Sequence, residues 1–139
     1  MIALAFLFGA LGKLAQVDDI VAYRTVRAAP PAAEVRDMIK TGGFDAVCFT
    51  SASTVKNLVG IAGKPHANTV VACIGPATAK TAEEHGLRVD VLATEASAAA
   101  LVDALAAHGQ CLAAAAAEAG EKVRRPSERR GAARRKVKA

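Results

Sequence analysis

Two stretches decide the fold: Asp45-Ala46-Val47-Cys48-Phe49-Thr50-Ser51-Ala52-Ser53 and Thr69-Val70-Val71-Ala72-Cys73-Ile74-Gly75-Pro76. Each holds a short apolar run without polar alternation, the pattern of a strand covered on both faces. Each then passes through small or hydroxylated residues into a helical stretch. The first helix reaches about Ile61, and the second spans residues 77–85, with Gly86 where a C′ glycine belongs.

Working outward, residues 20–26 (IVAYRTV) are rich in β-branched side chains and read as a strand, punctuated by Ala29-Pro30-Pro31. Residues 32–40 read as a helix with acids early and Lys40 late, as the helix dipole prefers, stopped at Thr41-Gly42-Gly43. Downstream, residues 87–92 predict a shorter fourth strand. Ser97 then opens a long helix to about Ala117, with Leu101, Val102, Leu105 and Leu112 as its apolar positions. Strands alternating with helices imply an α/β fold: a mostly parallel sheet with flanking helices, of the flavodoxin-like or Rossmann-like kind.

Composition fits this reading. The chain has 139 residues, which suits one domain, and 53% hydrophobic residues, which excludes wholesale disorder. Alanine accounts for 34 of them and aromatics for only 4% of the chain, so aliphatic packing must carry the core. The net charge of +5 invites a nucleic-acid reading, but its distribution does not support one. Residues 121–139 carry +7 and residues 1–120 carry −2. The basic part lacks a hydrophobic period and reads as a disordered tail over residues 119–139. It has no aromatic residues for base stacking and no nucleic-acid-binding signature, so no nucleic-acid partner is expected through Arg124 to Lys138.

Residues 1–12 form an uncharged apolar run, too short to span a membrane and lacking the basic start of a signal peptide. It admits two readings: a buried strand over residues 2–8, or a short buried helix within residues 1–16. The α/β domain proper is expected over residues 17–118. Cys48, Cys73 and Cys111 show neither disulfide nor metal-ligand spacing and read as small buried hydrophobes in a reducing compartment. No metal site is expected.

No phosphate-binding loop, nucleophile elbow or metalloprotease pattern is present. His66, His85 and His108 are scattered and read as surface residues. In a parallel sheet, ligands bind beyond the carboxyl ends of the strands. Three segments fall there: Tyr23-Arg24-Thr25, Thr50-Ser51-Ala52-Ser53 and Gly75-Pro76-Ala77-Thr78. All carry hydroxyls and two precede helix amino termini, a combination that suits an anionic ligand. Each residue also has a plainer role. Ser51 and Ser53 read as helix caps, Thr78 as a first-turn surface or capping residue, and Tyr23 as a half-buried packing residue with a wet hydroxyl. Lys56, Lys64 and Lys80 read as solvated.

These segments, in this order, resemble the carboxyl-terminal part of the uroporphyrinogen-III synthase family. The landmarks are V-x-x-Y-x-T, seen as Ile20-Val21-Ala22-Tyr23-Arg24-Thr25 with Ile20 at the first position, D-x-hydrophobic-x-F-T-S-x-S at residues 45–53, and IGP-x-TA at residues 74–79 followed by Gly86-Leu87-Arg88-Val89. The resemblance covers residues 17–108. It implies action on hydroxymethylbilane, a linear tetrapyrrole with eight carboxylates, which loses water and closes into a macrocycle with ring D inverted. It implies no cofactor, a cytoplasmic monomer, no membrane, and in some bacteria fusion to a uroporphyrinogen-III methyltransferase.

Carried over by position, Tyr23 is the candidate acid for hydroxyl departure. Ser51, Ser53, Gly75, Pro76 and Thr78 are the candidates for holding substrate carboxylates. Ala77 stands where the family often has a threonine. The resemblance also implies two domains flanking a cleft, of which this sequence holds part of one. The alternative expectation is therefore a module that binds an anion or a partner without turnover.

Overall fold

The computed structural model describes residues 2–18, 20–24, 26 and 28–129, with side chains from Leu7 onward. Met1, Thr25 and residues 130–139 lie outside the described residues. So, therefore, do the threonine of the V-x-x-Y-x-T motif and the last ten residues of the tail.

Three parallel strands, β1 (Ala46–Phe49), β2 (Val70–Cys73) and β3 (Val91–Leu92), form one sheet in the order β1-β2-β3. The crossovers α3 (Ala52–Ala62) and α4 (Pro76–Glu84) lie together on one face, and α5 (Ala98–Glu118) covers the other. The strand alternation sorts the side chains. Val47, Phe49, Val71 and Cys73 meet α3 and α4, while Ala46, Val70, Ala72 and Val91 meet α5. Phe49, Val55 and Cys73 are the largest fully buried side chains. Each such side chain contributes roughly 1.5–3 kcal/mol of transfer free energy. α2 (Ala33–Thr41) packs beside α3 and ends at Gly42, whose φ of +79° and N–H to Met38 carbonyl bond close the helix.

The expected α/β sheet with parallel strands is present, with four differences. First, of the two readings of the chain start the helix is the one present, as α1 (Ile2–Leu11), but it is not buried: its Leu7 and Leu11 are exposed. Second, residues 20–24 and 26 form no strand, and Ile20, Val21 and Val26 stand exposed. A strand needs a ladder partner, and no described strand lies beside this segment.

Third, β3 is only two residues long, against an expected six. Asp90 is the reason: its carboxylate accepts the Val71 N–H at 2.9 Å and is braced by the Arg88 guanidinium, so a side chain takes a ladder position. Fourth, Val102 is 64% exposed, because α5 turns Leu101, Ala104, Leu105 and Leu112 to the sheet instead. By length and composition alone α5 could cross a membrane, but this row of side chains packs on β2 and β3.

Two of the cysteines also depart from expectation. Cys73 is buried, but Cys48 and Cys111 are exposed. Cys48 points to the α5 side of β1, where α5 does not reach.

Residues 121–129 turn back on the domain and end in a short 3-10 turn (Pro126–Arg129). The Ser127 N–H donates to the Asp45 carboxylate at 2.8 Å, across 82 residues of chain. The Ser127 side chain and then its N–H hold the Asp45 carboxyl below its ordinary range.

Candidate functional site

The carboxyl edge of the sheet gathers most of the candidate residues. Phe49 pairs with Cys73 in the parallel register, and the Ile74 N–H donates to the Phe49 carbonyl at 3.0 Å. Two residues further on, Ser51 and Gly75 leave adjacent strands side by side and start α3 and α4. The helices pack against each other, so their amino termini share this edge.

Ser51 caps α3. Its hydroxyl accepts the Thr54 N–H at 3.3 Å, and the Thr54 hydroxyl accepts the Ser51 N–H at 3.3 Å, a reciprocal capping box. Ser51 Oγ also lies 2.9 Å from Ser53 Oγ, so the two candidate hydroxyls form one pair. The capping role that the sequence predicts is thus in place, and it leaves the Ser53 hydroxyl at the surface.

α4 begins differently. Its N-cap is Gly75, with no side-chain cap, and Pro76 occupies the first helical position. The N–H groups of Ala77 and Thr78 therefore have no intrahelical acceptor, as the first turn of a helix dictates. A Cβ built on Gly75 would meet no atom within 4 Å, and its φ of −169° is extended backbone open to any residue. Neither packing nor conformation within the chain requires glycine here; the residue keeps the space before the helix end empty. Thr78, expected near the surface, is only 5% exposed, in the turn directly behind that space.

Tyr23 is not brought to this edge by any described hydrogen bond. It lies in the extended stretch before α2, and its side chain is 84% exposed rather than half-buried.

Two further residues are not among the site candidates that the sequence offers. Ser97 caps α5, accepting the Ala100 N–H at 3.1 Å, and brings a third helix amino terminus to the carboxyl edge just after β3. The alternation of strand and helix made it findable. Arg36 stands in the early part of α2, and its Nε is buried with no hydrogen-bond partner among the described residues. α2 leads straight into the amino end of β1, so its early residues lie toward the carboxyl edge. No motif flags an arginine of this kind.

No group of three or more His, Cys, Asp or Glu among the described residues could hold a metal ion. The edge offers backbone N–H groups, hydroxyls and helix dipoles, which bind and orient carboxylates without supplying a nucleophile or a base.

Comparison with known proteins gives this edge a context. The family model described as uroporphyrinogen-III synthase HemD matches residues 2–103. A protein of Methanothermobacter thermautotrophicus (strain Delta H), named provisionally as a uroporphyrinogen-III synthase, is 46% identical over 66 residues. The match takes in 45% of this chain and 26% of that protein, so the chain spans about a quarter of the length of the curated relative. No solved structure matches significantly. With the family match running from the first helix into α5 and through both edge segments, the chain belongs to the uroporphyrinogen-III synthase family.

Proposed function

We propose that the carboxyl edge of the sheet grips the carboxylates of hydroxymethylbilane and that the chain carries the uroporphyrinogen-III synthase reaction of tetrapyrrole biosynthesis. The observation that carries this reading is the empty space before α4. Two unpaired N–H groups face it and Gly75 lines it, where a side chain would otherwise fit without strain. The reaction needs grip more than reagents. Ring A loses its hydroxyl as water, ring D attacks the exposed carbon at its substituted position, and the rearranged macrocycle closes with ring D inverted. One water leaves and no electrons are exchanged, so no cofactor is called for.

In this scheme the N–H groups of Ala77 and Thr78 and the Ser51–Ser53 hydroxyl pair hold carboxylates. Arg36 is a further anchor, because its Nε lacks a hydrogen-bond partner among the described residues. Pro76 fixes the entry angle of α4. Holding a flexible tetrapyrrole with its reacting ends together supplies much of the barrier reduction. Tyr23 acts as the proton donor to the departing hydroxyl, and its exposed position leaves it free to meet substrate. The reading carries with it a cytoplasmic, monomeric protein.

The test is turnover of freshly made hydroxymethylbilane, with the type III product separated from the type I product of spontaneous closure. Type III formation above background is expected. Tyr23→Phe should lower it about a hundredfold or more, within the usual span of a lost general acid, with the unfolding midpoint unchanged. Type I product alone would overturn the synthase reading. The 84% exposure of Tyr23, with no described hydrogen bond bringing it to the edge, favours a second reading: an anion-binding module without turnover. Saturable binding of the tetrapyrrole without type III product would establish it.

A further inference from the structure

A second cavity lies at the opposite, amino edge of the sheet. It encloses about 280 Å³ between the starts of β1 and β2, the outer half of α5 and the returning segment 121–129. Its floor is apolar, built from Val70, Leu105 and Leu112. Its rim carries Arg124, Arg125 and Arg129. The Asp45 carboxylate holds the returning segment in place through the Ser127 N–H, so the roof is fixed by a bond rather than by collapse onto the floor. Arg125 is braced by Glu128 at 3.3 Å. Arg124 and Arg129 have no acidic partner among the described residues, and the sequence beyond them contains no acid.

We infer that this cavity binds a small amphipathic carboxylate, with an alkyl or aryl body on the apolar floor and its anionic head on the rim guanidiniums. Charge complementarity selects the head, since a planar guanidinium matches a carboxylate in a two-pronged fashion. The floor selects the body. Leucine and valine side chains offer water no hydrogen bonds, so water holds such a space weakly. The volume is small beside ligand clefts of about 300–1,000 Å³, which limits the body to a compact one. A tetrapyrrole bearing eight carboxylates has the head but not the body, being too large and too polar for a space of about 280 Å³. The site therefore differs from the carboxyl edge in place and in ligand chemistry.

Calorimetric titration of the full chain with octanoate tests this, with octanol as the body without the head and acetate as the head without the body. Octanoate should bind saturably, one per chain, and both controls about tenfold or more weaker, the ratio expected from one lost charge-assisted hydrogen bond or a lost apolar body. The double variant Arg124→Gln/Arg129→Gln should lose octanoate affinity by about the same factor while its unfolding midpoint stays put, because both side chains lie on the rim. Ala113→Phe, which fills the cavity from α5, should abolish binding. Absence of saturable octanoate binding, octanol matching octanoate, or full affinity in the double arginine variant would each overturn the inference.

Discussion

The two edges of this sheet are built from the same strands and differ in how they are finished. At the carboxyl edge helices begin, and their unpaired N–H groups face outward beside hydroxyls and the unfilled space at Gly75. At the amino edge helices end, and a returning segment covers the gap, tied by one carboxylate. Strand direction alone creates the first asymmetry, since every crossover helix runs back antiparallel to its strand. The second asymmetry is specific to this chain. One parallel sheet thus presents helix amino termini and hydroxyls at one end and an apolar cavity with a cationic rim at the other.

The comparison can be broken outright by removing what both edges share. Phe49→Ala empties a fully buried position at the heart of the α3–α4 face and should cost about 3–5 kcal/mol, measured by chemical denaturation. Both edges should then fail together. A variant that kept its midpoint would show that the core is not common to the two.

Gly75→Val should separate the edges. Its side chain enters open space, so the stability change should stay at about 1 kcal/mol, the cost of a poorer N-cap residue. Type III formation should fall on the order of a hundredfold, as a displaced substrate would dictate. Unchanged turnover would remove the space before α4 from the mechanism.

Ser51→Ala acts on the carboxyl edge alone. Loss of the capping box should cost about 1 kcal/mol and should also weaken tetrapyrrole binding. A stability loss with unaltered binding would reduce Ser51 to its capping role.

The smallest effect belongs to the amino edge. The Asp45 carboxyl is held low by Ser127, so its contribution is fully present above the unfolded-state value of about 3.9 and is lost as pH falls through the lower folded value. Hydrogen exchange at the Ser127 amide should show protection near neutrality that fades on strong acidification. Asp45→Asn should lose about 1 kcal/mol of that protection and its dependence on acid. An acid-independent Ser127 amide in the unsubstituted chain would sever the tie.

Much of the central block was legible because its local signals agree with its partners. Residues 69–74 read as a doubly covered strand, and β2 is buried throughout. Pro76 and Gly86 bracket α4 almost to the residue, and the Leu87 N–H to Ala82 carbonyl bond shows why the glycine stands there. Where the reading failed, a partner decided the outcome. Residues 20–24 and 26 have strand composition, but no strand among the described residues pairs with them. Cys48 sits in an apolar run yet lies on the part of β1 that α5 leaves bare. Asp90 shortens β3 by a side-chain bond that no periodicity reveals.

The candidate site divides in the same way. Ser51, Gly75 and Thr78 could be placed at one edge from strand direction and spacing. The tie between Asp45 and Ser127 spans 82 residues, and the buried Nε of Arg36 depends on helix placement. Neither leaves a mark in local sequence.

The three thiols provide a built-in clock for the opening of this fold. Cys48 and Cys111 are exposed, whereas Cys73 is fully enclosed in β2 and burial pushes its thiol above the ordinary range. A thiol reagent should consume two groups promptly and the third only as fast as the sheet comes apart. The slow phase then reports the opening rate of β2 directly, without any added label.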